Sequence, residues 1–138
     1  MANKLRIMLV EDEAIVAMLV EDALTLHGHI VTGIADTQAS ALALADADRP
    51  DLALCDVRLA QGDSGRTVAV ALAARGIPCL FLSGNCPDVA DHPLILGCVA
   101  KPFYTAGLGY AIAAAMARVQ GQVPEKIPNE LRFYATVD

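Results

Sequence analysis

Apolar runs of strand length alternate with stretches of helical periodicity along most of the chain. Residues 5–10, 30–35, 51–56, 77–82 and 95–100 read as strands, and 13–27, 37–47, 65–75 and 104–120 as helices. The strands are almost continuously apolar, which is the pattern of strands buried on both faces of a parallel sheet. Strand–helix alternation of this kind predicts an α/β fold. Punctuation agrees with the boundaries. Gly28 and Gly76 stand where a helix C′ residue is wanted, Thr37 and Ser64 where an N-cap is wanted, and Arg49-Pro50 stops the second helix. Between Pro87 and Pro93 the periodicity is thin, so a further helix near 87–93 is expected to be short, irregular or mobile.

The first helix carries two apolar stripes, Ile15, Leu19, Ala23 and Leu26 on one line and Val16, Val20 and Leu24 on another. A well-buried helix explains both and is the expectation. The alternative is an exposed strip, with Ala14, Ala17 and Met18, that docks a partner helix. Residues 121–138 leave the alternating pattern, and their two prolines and short apolar end predict a tail that packs back or binds something. The expected organisation is a domain over 1–120 and a C-terminal tail over 121–138, with no output domain.

Composition narrows the function classes. A chain of 138 residues is one domain, and 55% hydrophobic with 19% charged residues excludes disorder. A formal charge of −6 without a basic patch argues against nucleic acid as a partner. No apolar run approaches the roughly 20 residues of a membrane span, and the start leaves no room for a signal peptide. A cytoplasmic protein without membrane insertion is expected. Cys55, Cys79, Cys86 and Cys98 lack CxxC spacing and read as small apolar residues. A redox link between Cys86 and Cys98 is the less favoured reading, because neither has a sequence neighbour that would lower its pKa.

The chemistry lies at the strand ends. Glu11-Asp12 follow the first strand, Asp56 closes the third, Ser83-Gly84 follow the fourth, and Lys101-Pro102 follow the fifth. In an open parallel sheet such residues converge on one crevice. Three carboxylates there resist ionising together unless a cation sits among them, so a metal and phosphate site is the expectation.

Taken together, Met8-Leu9-Val10-Glu11-Asp12-Glu13, Pro50 to Leu59 around Asp56, Phe81-Leu82-Ser83-Gly84 and Lys101-Pro102-Phe103 resemble the receiver domain of bacterial response regulators, over about residues 4–120. The resemblance implies a flavodoxin-like, doubly wound, five-stranded parallel sheet of order 2-1-3-4-5, an order known from such folds. It also implies that Asp56 accepts a phosphoryl group from the phosphohistidine of a histidine kinase or phosphotransfer protein. Mg²⁺ would be held by Glu11, Asp12, Asp56 and the backbone carbonyl of Arg58. Ser83 and Lys101 would meet the phosphoryl oxygens, and the Lys101-Pro102 bond would be cis. No enzymatic activity is expected beyond the domain's own phosphorylation and dephosphorylation. Output would run through a downstream protein partner or phosphate relay, with a homodimer left open.

Three departures from the family pattern stand out. Glu11 replaces the more usual aspartate. The loop Leu59-Ala60-Gln61-Gly62-Asp63-Ser64-Gly65 lacks the usual Met-Pro and resembles that of stand-alone receivers. Cys98 and Cys86 occupy the two positions where the family carries a switch aromatic. These departures keep a phosphorylation-independent adaptor as an alternative. An Asp-nucleophile phosphatase of the haloacid dehalogenase type is a weaker one, since Arg58 stands where its second aspartate would be.

Overall fold

The computed structural model describes residues 4–59, 62 and 64–134. Ten elements follow in order: β1 (Arg6–Val10), α1 (Ala14–Leu26), β2 (Ile30–Ala35), α2 (Gln38–Ala47), β3 (Leu52–Asp56), α3 (Gly65–Ala74), β4 (Cys79–Ser83), β5 (Ile95–Ala100), α4 (Thr105–Val119) and β6 (Leu131–Phe133). The sheet runs β2-β1-β3-β4-β5-β6. Its first five strands are parallel, in the order the resemblance implies, and β6 adds to β5 antiparallel.

Burial explains why the central strands are so apolar. Every residue of β3 and β4 is buried, because helices cover both faces of the sheet. Leu24, Leu54, Leu108 and Ile112 belong to one core layer, whereas Phe81, Val68 and Leu72 belong to the other. Each fully buried side chain of this size stabilises the fold by about 1.5–3 kcal/mol. The caps form as expected. The Thr37 hydroxyl accepts from the Ser40 amide, Ser64 caps α3 through the Arg66 amide, and Gly28 and Gly76 take positive φ just past α1 and α3.

The structure corrects the sequence expectations at several points. The fourth strand starts at Cys79 rather than residue 77, because the Ile77 amide still closes the end of α3 on the Leu72 carbonyl at 3.1 Å and Pro78 has no amide to donate. Residues 87–93 contain bends and turns and no helix. Contacts from the tail and from α3 reach that segment: the Tyr134 hydroxyl donates to the Pro87 carbonyl at 2.7 Å, and Arg66 pairs with Asp91 at 3.2 Å. The first helix is not buried all round. Ala17, Val20, Ala23 and Leu24 face the core, while Ile15, Leu19 and Leu26 are 61–78% exposed and Met18 is also exposed.

Part of the tail packs back as a strand. Leu131 is buried, Arg132 is exposed and Phe133 is half-buried beneath the Arg118 guanidinium, 4.6 Å from its ring centre. Gly97 makes the pairing possible, since a Cβ there would stand 2.5 Å from the Arg132 carbonyl oxygen. Cys86 and Cys98 are joined in a disulfide with Cα atoms 5.9 Å apart, against the preference for free thiols. The loop after β4 brings the two together, a proximity that sequence neighbours cannot reveal. Cys55 and Cys79 are free and buried.

Candidate functional site

Parallel register carries the predicted residues to one edge of the sheet. Val10 lies opposite Cys55, so Glu11 and Asp12 leave β1 beside Asp56 at the end of β3. Ser83 ends β4 opposite Ala100, and Lys101 follows at once, its amide donating to the Ser83 carbonyl at 2.9 Å. The Lys101–Pro102 peptide is cis. The Lys101 Nζ reaches 3.0 Å from Asp56 Oδ2 and 3.3 Å from Glu11 Oε1. Asp56 Oδ1 accepts the Arg58 amide at 3.0 Å, and Glu11 Oε2 accepts the amides of Asp12 and Glu13 at 3.1 and 3.3 Å.

This crowding separates the two buried acids. Burial and the adjoining Asp56 carboxylate push Glu11 up to about 7, against the opposing pull of the Glu13 amide and Lys101. Burial would raise Asp56 as well, but the Arg58 amide, the Lys101 ammonium and Glu11 together carry it below its ordinary value. Lys101 is raised in turn, because its bonds to Asp56 and the charge of Glu11 outweigh its desolvation. Asp56 is thus held ionised, and Glu11 keeps a share of a proton.

Oxygen atoms of Glu11, Asp12 and Asp56 all lie within 4.8 Å of one another. An all-oxygen donor set suits a hard divalent cation. The raised Glu11 supports the fit, since a cluster that must hold a proton to limit repulsion is one that a divalent charge would relieve. Arg58 and Ser83 line the same open cleft, of about 850 Å³, at whose wall Asp12 and Asp56 stand. The Ser83 hydroxyl accepts the Asn85 amide at 3.0 Å, which leaves its own O–H free to donate.

Two participants, Arg66 and Tyr134, escape sequence reasoning, and a third, the Cys86 bond, was the less favoured expectation. Arg66 of α3 lines the cleft, Cys86 lines it with its sulfur bonded to Cys98, and Tyr134 reaches the loop after Ser83 from the tail. Only the coincidence of cysteines at both switch-aromatic positions offered a signal. The expectation for the loop at 59–65 turns on Ala60, Gln61 and Asp63, which lie outside the described residues.

The response regulator receiver domain family matches residues 7–113. The chain belongs to that family. This receiver is 34% identical over 115 residues to the phyllosphere-induced regulator PhyR of Methylorubrum extorquens, an alignment covering 80% of this chain and 43% of that protein. The crystal structure of PhyR from Brucella abortus superposes with a TM-score of 0.74 at 30% identity, covering 86% of the receiver and 50% of that chain. SdrG from Sphingomonas melonis Fr1 gives a TM-score of 0.66 at 35% identity, covering 84% of the receiver and 99% of that chain. The receiver spans about half the length of the curated relatives it matches. Receivers are regulatory modules rather than enzymes in the ordinary sense. Among the described residues, no helix is long and apolar enough to cross a membrane.

Proposed function

We propose that this receiver takes a phosphoryl group on Asp56 from the phosphohistidine of a histidine kinase or phosphotransfer protein, in a Mg²⁺-dependent reaction. The observation that carries this reading is the placement of an ionised, lysine-paired Asp56 inside a three-carboxylate cluster at the open edge of the sheet. Glu11, Asp12, Asp56 and the backbone carbonyl of Arg58 are the residues that would hold the ion. When bound, Mg²⁺ supplies positive charge against the equatorial oxygens of the transferring group.

The chain's own residues account for the rest. An Asp56 carboxylate oxygen attacks phosphorus, the P–N bond breaks, and its electron pair leaves with the imidazole. Such a transfer asks mainly for in-line positioning and charge neutralisation. The Arg58 amide fixes one Asp56 oxygen, and the Lys101 ammonium stands ready for the phosphoryl oxygens. Ser83 adds a donor, since a hydroxyl that accepts the Asn85 amide still has its own O–H to give. The new group brings about −1.5 to −2 charges and three acceptors, which supports a pull on Ser83 and its loop. The exposed apolar residues of α1, beside Glu13 and the cleft, suit a helix of the phosphodonor. On this reading residues 1–120 form the receiver and 121–138 an appended tail, with output through a protein contact in the cytoplasm.

Incubation with Mg²⁺ and acetyl phosphate, followed by mass spectrometry, tests the proposal. A phosphoryl adduct on the wild-type chain that disappears in Asp56→Asn is expected, and an adduct retained in that variant refutes it. A second reading, a phosphorylation-independent adaptor, draws on the bonded cysteines at both switch positions. It predicts an adduct that leaves partner binding and structure unchanged whether the cysteines are bonded or reduced.

A further inference from the structure

We propose that Cys86 and Cys98 form a reversible thiol–disulfide site that gates how the loop after Ser83 responds to phosphorylation. The inference deepens the phosphoacceptor reading and rests on it. Ser83 ends β4, and Cys86 follows three residues later, half-buried in the wall of the cleft that holds Asp56. Its partner Cys98 lies in β5, fully buried and in register with Phe81 of β4. The bond therefore pins the loop to the sheet three residues from the Ser83 hydroxyl.

A second restraint reaches the adjacent residue. Tyr134, buried against Phe81 with ring centres 6.4 Å apart, donates its hydroxyl to the Pro87 carbonyl. It arrives on β6, whose Arg132 is in register with Cys98. Consecutive residues 86 and 87 are thus tied to β5 and β6, one covalently and one by a hydrogen bond. Turning Ser83 toward a phosphoryl group on Asp56 requires residues 84–87 to follow. With the disulfide intact that path is closed, and with it reduced the Tyr134 hydrogen bond, the exposed Arg132–Asp88 and Arg66–Asp91 pairs and packing are weaker restraints than a covalent bond. The oxidised receiver accepts the phosphoryl group without moving the loop or β6, and the reduced receiver moves both.

The chemistry is that of ordinary thiol exchange. A thiolate of a dithiol donor attacks Cys86 Sγ, the sulfur that the cleft exposes. The electron pair of the broken S–S bond goes to Cys98 Sγ, which takes a proton. The donor's second thiol then displaces Cys86 as its thiol, leaving the donor as a disulfide. In the reverse direction the Cys86 thiolate attacks hydrogen peroxide, giving a sulfenic acid and a hydroxide that takes a proton from solvent to become water; the Cys98 thiol then condenses with the sulfenic acid and releases a second water. Cys55 and Cys79 do not compete. They are buried, and their mutual contact together with that burial pushes the Cys79 thiol well up. Disulfides in a reducing compartment are characteristically transient or redox-sensing, which fits a bond placed beside a signalling site.

The experiment uses the full chain, reduced with dithiothreitol or oxidised with hydrogen peroxide, with beryllofluoride and Mg²⁺ as the phosphoryl mimic. Alkylation under denaturing conditions should count four thiols after reduction and two after oxidation. Hydrogen exchange across 84–94 and 130–134 should change by about twofold or more on adding the mimic to reduced protein, and stay unchanged in oxidised protein. Cys86→Ser, which alters only a half-buried position, should respond like the reduced form even after peroxide. Four alkylated thiols after peroxide, or equal loop responses in both redox states, overturn the gate. A response confined to residues 52–59 in both states overturns the gate alone. Silence in every segment in both states overturns the gate, and the phosphoacceptor reading falls with it only where acetyl phosphate also leaves no adduct that depends on Asp56.

Discussion

Replacing Gly65 with alanine should damage the fold and the phosphoacceptor together. Gly65 opens α3, and its amide donates to the Val57 carbonyl at 2.8 Å. A Cβ at this position would lie 2.7 Å from the Asp56 carbonyl carbon and 2.8 Å from the Val57 Cα, and closer still to the Asp56 carbonyl oxygen. These are backbone atoms of a buried strand end, so no side chain can rotate out of the way. Either the start of α3 lifts or the Asp56–Val57 peptide shifts. Overpacking of this kind costs about 3 kcal/mol. Better helix propensity offsets at most about 1 kcal/mol of that. The net loss of about 2 kcal/mol corresponds to a fall in Tm of roughly 6 °C for a chain of this size. A displacement of Asp56 by about 1 Å should also slow phosphoryl loading by about a hundredfold. Circular dichroism melts and adduct formation from acetyl phosphate measure the two effects. Gly84→Ala is the control, because a Cβ there meets nothing within 4 Å. A Gly65→Ala protein that melts within about 2 °C of wild type and loads at the wild-type rate would refute the steric argument.

Two further outcomes follow from the structure. Gly97→Ala should wedge β6 away from β5, because the added carbon would meet backbone atoms of Arg132 and Phe133. Hydrogen exchange at 131–134 should then rise toward that of free chain while β1 and β3 stay protected, and unchanged protection of β6 would contradict the close approach. The second concerns His29, whose Nδ1 accepts the Leu5 amide at 3.2 Å and whose pKa is lowered from 6.5 by burial and by His27. The unfolded chain binds this proton more readily than the folded one. The neutral ring is therefore no burden above pH 6.5, and stability falls as the pH drops through that value toward the lower folded pKa. Comparing melts of wild type and His29→Gln at about pH 7.5 and 5.5 should show wild type losing more on acidification, and equal losses would remove His29 as the cause.

Several features were open to a reader of the chain. Apolar runs, glycines and prolines carry local information, so the caps at Thr37 and Ser64 and the positive-φ glycines at 28 and 76 came out as expected, while the strand order followed from the family resemblance. The site was legible for a related reason. Parallel strands deliver the residues that follow them to one edge, so Glu11, Asp12, Asp56 and Lys101 meet whatever the details of packing.

Other features depend on which surfaces touch across the fold, and no local pattern encodes that. The three-residue strand β6 has too little periodicity to announce itself, and it exists because Gly97 lets a backbone approach the edge of β5. Ile15 and Leu19 look like core residues in any helical pattern, but burial is decided by which face of α1 meets the sheet, and theirs does not. The Cys86–Cys98 bond and the Tyr134–Pro87 contact likewise join positions 12 and 47 residues apart in the chain. Short-range chemistry along a polypeptide specifies elements and their ends; long-range proximity arises only when those elements pack, and there this receiver acquired its tethered loop.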